Sequence, residues 1–182
     1  ASFFTPGLQK TLQDSTLEVH SIDKLDLDVG GSIISSLTAQ KLKKTVGLFP
    51  KRINYSQGED LKSLDVVAKL KPTDTEVILM GNSLAQMCGG KLEGTHDRFK
   101  EWTGAAGCHF RELEIYQTQD ARFKEFTPTI YDCYQDSTRE AFVIVMEKLE
   151  NIELLNCVDD ISLWQKEHIE QPYFSAFKIL HL

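Results

Sequence analysis

The alternation of apolar and polar positions divides the chain into a strand-rich first part, an irregular middle and a helical end. Residues 1–16 read as a loosely packed lead-in, with a helical turn expected around Leu8 to Leu12. From Leu17 to Gly31 the apolar residues are Leu17, Val19, Ile22, Leu25, Leu27 and Val29, and from Leu25 onward they alternate as a half-buried strand does. Gly30-Gly31-Ser32 then predicts a tight turn, since paired glycines supply the positive φ values a hairpin needs. A second strand is expected over Ile33 to Thr45, a loop over Pro50 to Asp60, and a third strand over Leu64 to Lys71, which Pro72 stops by removing a donor.

Thr73 to Gly104 is the least regular stretch, with helical fragments around Val77 to Met87 and Arg98 to Trp102 separated by Gly89-Gly90 and Gly94. A stronger helix is predicted from about Ala105 to Gln119, where Phe110, Leu113 and Tyr116 or Gln117 recur every three to four residues with charges between them. Pro128 to Tyr134 reads as a fourth strand, Gln135 to Arg139 as a turn, and Ala141 to Met146 as a fifth strand buried on both faces. The end is expected to be helical: Leu163 to Glu167, then a stripe of Ile169, Tyr173, Phe177 and Leu180. This order predicts an α+β fold, a mostly antiparallel five-stranded sheet with one packed helix, followed by C-terminal helices. The chain divides into the lead-in 1–16, the sheet-and-helix unit 17–149 and an exit segment 150–182.

Length and composition narrow the class without naming a function. With 182 residues, 41% of them hydrophobic, the chain can bury one sizeable core. A net charge of −7 argues against a protein whose main business is binding nucleic acid or an anionic membrane, because neutralising phosphates needs a basic face. The densest basic run, Lys41, Lys43, Lys44, Lys51 and Arg52, reads as a solvated surface. Ala141 to Met146 is the longest wholly apolar run, far short of the ~20 residues that span a bilayer. The first residues lack a basic n-region and an apolar h-region, so a cytoplasmic protein is expected. Cys88, Cys108, Cys133 and Cys157 form no CxxC and no zinc-spaced pair with histidine, and are read as free thiols.

Four local features carry the candidate chemistry. The Gly/Ser-rich stretch Asp28 to Ser36, with Gly30, Gly31, Ser32 and Ser35, offers backbone N–H groups and hydroxyls that could lie over phosphates. Val66-Val67-Ala68-Lys69 places an ammonium at the end of an apolar strand, with Lys71 a competing candidate that faces the same way by alternation. The helix His109 to Tyr116 supplies Glu112, or alternatively Glu114, as a carboxylate partner for that lysine. The apolar strand Phe142 to Met146 stops abruptly at Glu147-Lys148-Leu149, where the Glu147 carbonyl and the Leu149 N–H could meet a flat heteroaromatic ring with Met146 behind it. Scattered histidines, no HExxH, no Gly-x-Ser-x-Gly and no Walker A loop argue against zinc-hydrolase, serine-hydrolase and P-loop chemistry.

In this order, hairpin, strand lysine, helix glutamate and strand-end connector, the chain resembles the small lobe of the protein-kinase-like fold, and within it the aminoglycoside and choline phosphotransferase branch. Arg111-Glu112 with Tyr116, and Phe126 to Tyr134 followed by Val143 to Leu149, carry that likeness; Trp164 to Gln171 and Ala176 to His181 resemble the first long helix of the large lobe. The resemblance implies that residues 17–149 bind a nucleotide, ATP. Lys69 would hold the α/β-phosphates, Glu112 would orient Lys69, Gly30 to Ser36 would cover the phosphates and Met146 to Leu149 would receive adenine. It implies γ-phosphoryl transfer to a small hydroxylated acceptor, with the acceptor-positioning aspartate and the Mg²⁺ ligands expected beyond Leu182, so that this stretch alone would not catalyse. The C-terminal apolar stripe would need something to cover it, a large lobe or another partner. The alternative from another class is a non-catalytic kinase-like module used for interaction or regulation.

Overall fold

A computed structural model of the chain describes residues 2–26, 44–118, 121–152 and 160–170. Five strands form the frame: β1 (Glu18–Lys24), β2 (Gly47–Gln57), β3 (Asp60–Lys71), β4 (Ile130–Asp136) and β5 (Ala141–Glu147). They make one sheet in the order β1-β2-β3-β5-β4, every neighbouring pair antiparallel. Among the described residues the helices are α1 (Thr5–Thr11), α2 (Asp74–Cys88), α3 (Thr95–Phe99), α4 (Cys108–Gln117) and α5 (Ala121–Lys124), with a further helical run at 166–170 and 3₁₀ turns at Gly90–Leu92, Lys100–Trp102 and Ile161–Leu163. The α+β class and the five antiparallel strands agree with the sequence reading, but helices lie on both faces of the sheet and not on one.

The first three strands differ in detail from those expected. Pro50 to Asp60 is not a loop: β2 runs through most of it, because Ile53 and Tyr55 are buried while Arg52 before them and Asn54 between them face the other way. Pro50 is tolerated because it lies just past the last β1–β2 pair, Lys24 with Lys51, and its polar edge faces β1, where its carbonyl accepts the Leu25 N–H. The hairpin turn falls instead at Gly58-Glu59, closed by Gln57 opposite Asp60, with Gly58 at a φ of 63°. The first strand precedes Leu25, and of the predicted strand Ile33 to Thr45 the described end, Lys44 and Thr45, is not strand. The glycine turn and the alternating run from Leu27 onward lie outside the described residues.

The lead-in is also better packed than its composition suggests. Leu8 of α1 and Leu17 are fully buried in one apolar cluster with Ile53, Tyr55, Val66, Ala68, Val143 and Val145. Gly7 is what lets α1 sit so low: a Cβ there would lie 2.5 Å from the Cβ of Asp132 on β4. On the opposite face α4 presses Leu113 against Phe142 and Ile144, with Phe110, Tyr116, Ile130, Cys133 and Met146 around them. β5 is buried on both faces, as expected, because it lies between β3 and β4 and beneath both helices.

The middle region follows the glycine punctuation. Thr73 caps α2 and Glu76 returns the bond to the Thr73 N–H at 2.7 Å, a capping box directly after Pro72 ends β3. Gly89 ends α2, and Gly94 in left-handed conformation leads into α3. Cys88, Cys108 and Cys133 are free thiols; Cys157 lies outside the described residues. So do Tyr173, Phe177 and Leu180 of the expected C-terminal helix. Among the described residues no helix is long and apolar enough to cross a membrane.

Candidate functional site

The period of two along β3 divides its side chains between two environments. Val66, Ala68 and Leu70 join the α1-side cluster, which sends Val67, Lys69 and Lys71 to the α4 side. There Lys69 stands opposite Ile144 and Lys71 opposite Phe142, the two β5 residues on which Leu113 packs. Burying Leu113 fixes α4 over the strand, and the residue before it, Glu112, leans onto the lysines. Lys69 Nζ lies 2.5 Å from Glu112 Oε1, and Lys71 Nζ bonds the other oxygen, Oε2. Glu114 points to solvent. The two lysine candidates are therefore both engaged, by one carboxylate.

That sharing sets the electrostatics. Burial pulls the Lys69 ammonium below its ordinary range, and nearby Tyr116 opposes the shift. For Lys71 burial comes first and the charge of Lys69 second, with Arg111 adding to both, and together they bring it down to about 8; neighbouring Cys108 pulls the other way. Arg111 spends a donor on the Gly104 carbonyl, which holds the guanidinium at the rim. Two ammonium groups thus share one half-buried carboxylate, with Arg111 close enough to act on Lys71, a local excess of positive charge on a chain that is acidic as a whole.

A second contact fixes where α4 begins. His109 is buried, its ring edge-on to Phe142 at 4.4 Å between centroids, and its Nδ1 accepts the Asp74 N–H at 3.0 Å. The Asp74 carboxylate in turn accepts the Gly107 N–H at 2.8 Å, and that bond holds Asp74 below the usual carboxylate range. The start of α2 is clasped to the start of α4, one helical turn from Glu112. Lys44, just before β2, adds a tie through Glu76 at 2.8 Å.

The far end of β5 has a different character. Met146 pairs with Val67 and packs among the α4-side residues. Glu147 is held twice by Thr129: its N–H donates to the Thr129 carbonyl at 2.9 Å, and its carboxylate accepts the Thr129 N–H at 2.8 Å, which lowers its pKa. The Lys148 N–H donates to the Asp65 carbonyl at 3.1 Å, and Leu149 is half exposed. A cavity of about 460 Å³ opens here, lined by Arg52, Ser63, Asp65, Tyr131, Glu147 and Lys148. Arg52 grips Asp65 through two bonds of 2.7 and 2.8 Å and keeps that carboxyl ionised to lower pH. A second cavity of about 400 Å³ lies at the other end of α4 between Lys10, Tyr116 and Thr129. Neither includes Lys69 or Glu112.

Comparison with known proteins returns no relative. No protein-family model, curated protein or solved structure matches the chain. Of the residues singled out from the sequence, Lys69 and Glu112 meet, and Met146, Glu147 and Leu149 line up at the end of β5. Gly30, Gly31, Ser32 and Ser35 lie outside the described residues. Alternation signalled that Lys71 shares the face of Lys69, but not that both reach Glu112. The His109–Asp74 clasp had no signal, because it joins residues 35 positions apart.

Proposed function

We propose that this chain is the nucleotide-binding lobe of a protein-kinase-like phosphotransferase that moves the γ-phosphoryl group of ATP to a small hydroxylated acceptor. The observation that carries the reading is the ion pair between Lys69 on a central strand and Glu112 on the packed helix. A lone strand lysine snorkels to water. One held by a carboxylate, and only partly desolvated, keeps an ammonium extended at a fixed place, where it stabilises charge concentrated on phosphoryl oxygens. The cationic excess around Glu112 favours a polyanionic ligand further.

In this reading Lys69 takes the α/β-phosphates, Glu112 orients it, Gly30 to Ser36 cover the phosphates, and Met146, Glu147 and Leu149 receive the adenine edge. Among the described residues no group of three His, Cys, Asp or Glu side chains converges to hold a metal ion, so the fit is to the nucleotide's phosphates and not to its magnesium. The Mg²⁺ ligands and the acceptor-positioning aspartate would come from sequence following Leu182. The runner-up, a kinase-like module that binds without transferring, rests on the same contact.

Thermal unfolding with and without millimolar ATP is the direct test. ATP should raise the melting temperature of the wild type, and Lys69→Ala should remove the shift while leaving the unliganded protein folded. A wild type that shows no shift, or a Lys69→Ala variant that shifts equally, would overturn the assignment.

A further inference from the structure

The carboxylate of Glu112 has two lysines where orienting one would suffice, and they are not equivalent. The Lys69 side chain is 35% exposed and the Lys71 side chain 10%, so Lys69 is the one that a ligand can reach. If Lys69 were the sole partner of Glu112, turning its ammonium toward a phosphate would leave a half-buried carboxylate short of a cation, which opposes the move. We propose that Lys71 is a positioning residue that holds Glu112 in place while Lys69 turns to the phosphates of the bound nucleotide. This rests on the nucleotide reading above.

The surroundings agree. Lys71 reaches Oε2 and Lys69 reaches Oε1, so either can stay when the other leaves. Lys71 is backed by Phe142 across the strand pair and overlooked from α4 by Cys108, His109, Arg111 and Glu112, a setting with little room for another ligand. A second buried ammonium beside the first opposes folding: both are cations, and only one carboxylate answers them. A lysine kept there for structure alone would be better replaced by an apolar side chain.

Titrating wild type, Lys71→Met and Lys71→Arg with Mg-free ATP, by calorimetry and by thermal unfolding, separates the cases. Lys71→Met should leave the melting temperature of the unliganded protein unchanged or higher, yet weaken ATP on the order of tenfold, the worth of one charge-assisted hydrogen bond. Lys71→Arg should recover most of that affinity. The affinity of the wild type should fall as pH rises through about 8, where Lys71 gives up its proton, and Lys71→Arg should remove that step. Lys71→Met binding ATP as tightly as the wild type would overturn the positioning role and leave the nucleotide reading standing. A wild type that does not bind ATP would overturn both. A Lys71→Met variant that unfolds at lower temperature, with no recovery of affinity in Lys71→Arg, would mark Lys71 as structural and count against the proposal.

Discussion

The two faces of the sheet are built from the same strands and do opposite things. On the α1 side Leu8, Leu17, Ile53, Val66 and Val145 are buried in a dry cluster, with an apolar partner at each position. On the α4 side a smaller apolar patch of Leu113, Phe142 and Ile144 carries at its border two lysines, a glutamate and a buried histidine. Alternation along β3 supplies both, Val66 and Ala68 to one face, Lys69 and Lys71 to the other. The dry face fixes the strand positions closely enough for the charged face to hold ammonium groups partly out of water. Stability and candidate chemistry are thereby divided between two sides of one layer.

Large-to-small substitutions test that division most strongly. Leu8→Ala should destabilise the protein by about 2–5 kcal/mol in urea unfolding, since it opens a cavity in a fully buried site. Leu113→Ala should fall in the same range. Only the second should disturb the other face, because Leu113 seats the helix that carries Glu112. Leu8→Ala should keep the ATP-induced rise in melting temperature, measured from its own lower baseline, and Leu113→Ala should lose most of it. Equal losses of the ATP response in both variants would mean that the faces are not separable.

The packing of α1 offers a gentler probe of the dry face. An alanine in place of a helix-interior glycine ordinarily stabilises by about 1 kcal/mol. At Gly7 the added methyl would stand 2.5 Å from the Asp132 Cβ, an atom anchored to the β4 backbone that cannot swing away. Gly7→Ala should therefore destabilise by about 1–3 kcal/mol, the overpacking range, and leave ATP binding as it is. A stabilised Gly7→Ala would show that α1 floats above the sheet, and that the dry face ends at the strands.

The sequence made the class and most elements legible where one periodicity held over several residues. β5 and α4 are read correctly because Ala141 to Met146 is uninterrupted and Phe110, Leu113 and Tyr116 keep helical spacing. β2 was hidden by Pro50, which is a breaker in a strand interior and harmless where its missing N–H would have pointed past the end of a neighbour. α1 looked loose because one leucine in a short polar helix gives little signal; its burial comes from Gly7, whose value lies in an atom it lacks. Within the site, alternation placed Lys69 and Lys71 on one face but could not say that both would reach Glu112. That depends on where α4 settles, which Leu113 and the His109 clasp decide together. The clasp is a tertiary hydrogen bond between helix starts, and nothing in local pattern encodes it.

That clasp gives the smallest and most selective prediction, a loss of stability in mild acid confined to the charged face. His109 accepts the Asp74 N–H through Nδ1, so the ring is neutral, and a proton at Nδ1 would replace an acceptor by a donor facing a donor. Burial is the first cause that holds its pKa below 6.5; Asp74 and Glu76 pull upward, Lys71 and Lys44 push down. The unfolded chain therefore takes up the proton first as pH falls. Stability contributed by the neutral ring is complete above about pH 6.5 and is lost on acidification below it, down to the folded-state pKa. Between pH 7 and 5 the wild type should lose more stability than His109→Gln, which cannot titrate there, with both followed by urea unfolding. Hydrogen exchange at the lower pH should show the Asp74 amide and the first turn of α4 opening before the amides of β2 and β3. Parallel stability curves for the two proteins would mean that His109 titrates alike in the folded and unfolded chains, whereas a wild type that gains stability over His109→Gln on acidification would mean that the ring is charged, with the clasp running from His109 to the Asp74 carboxylate, 4.0 Å away.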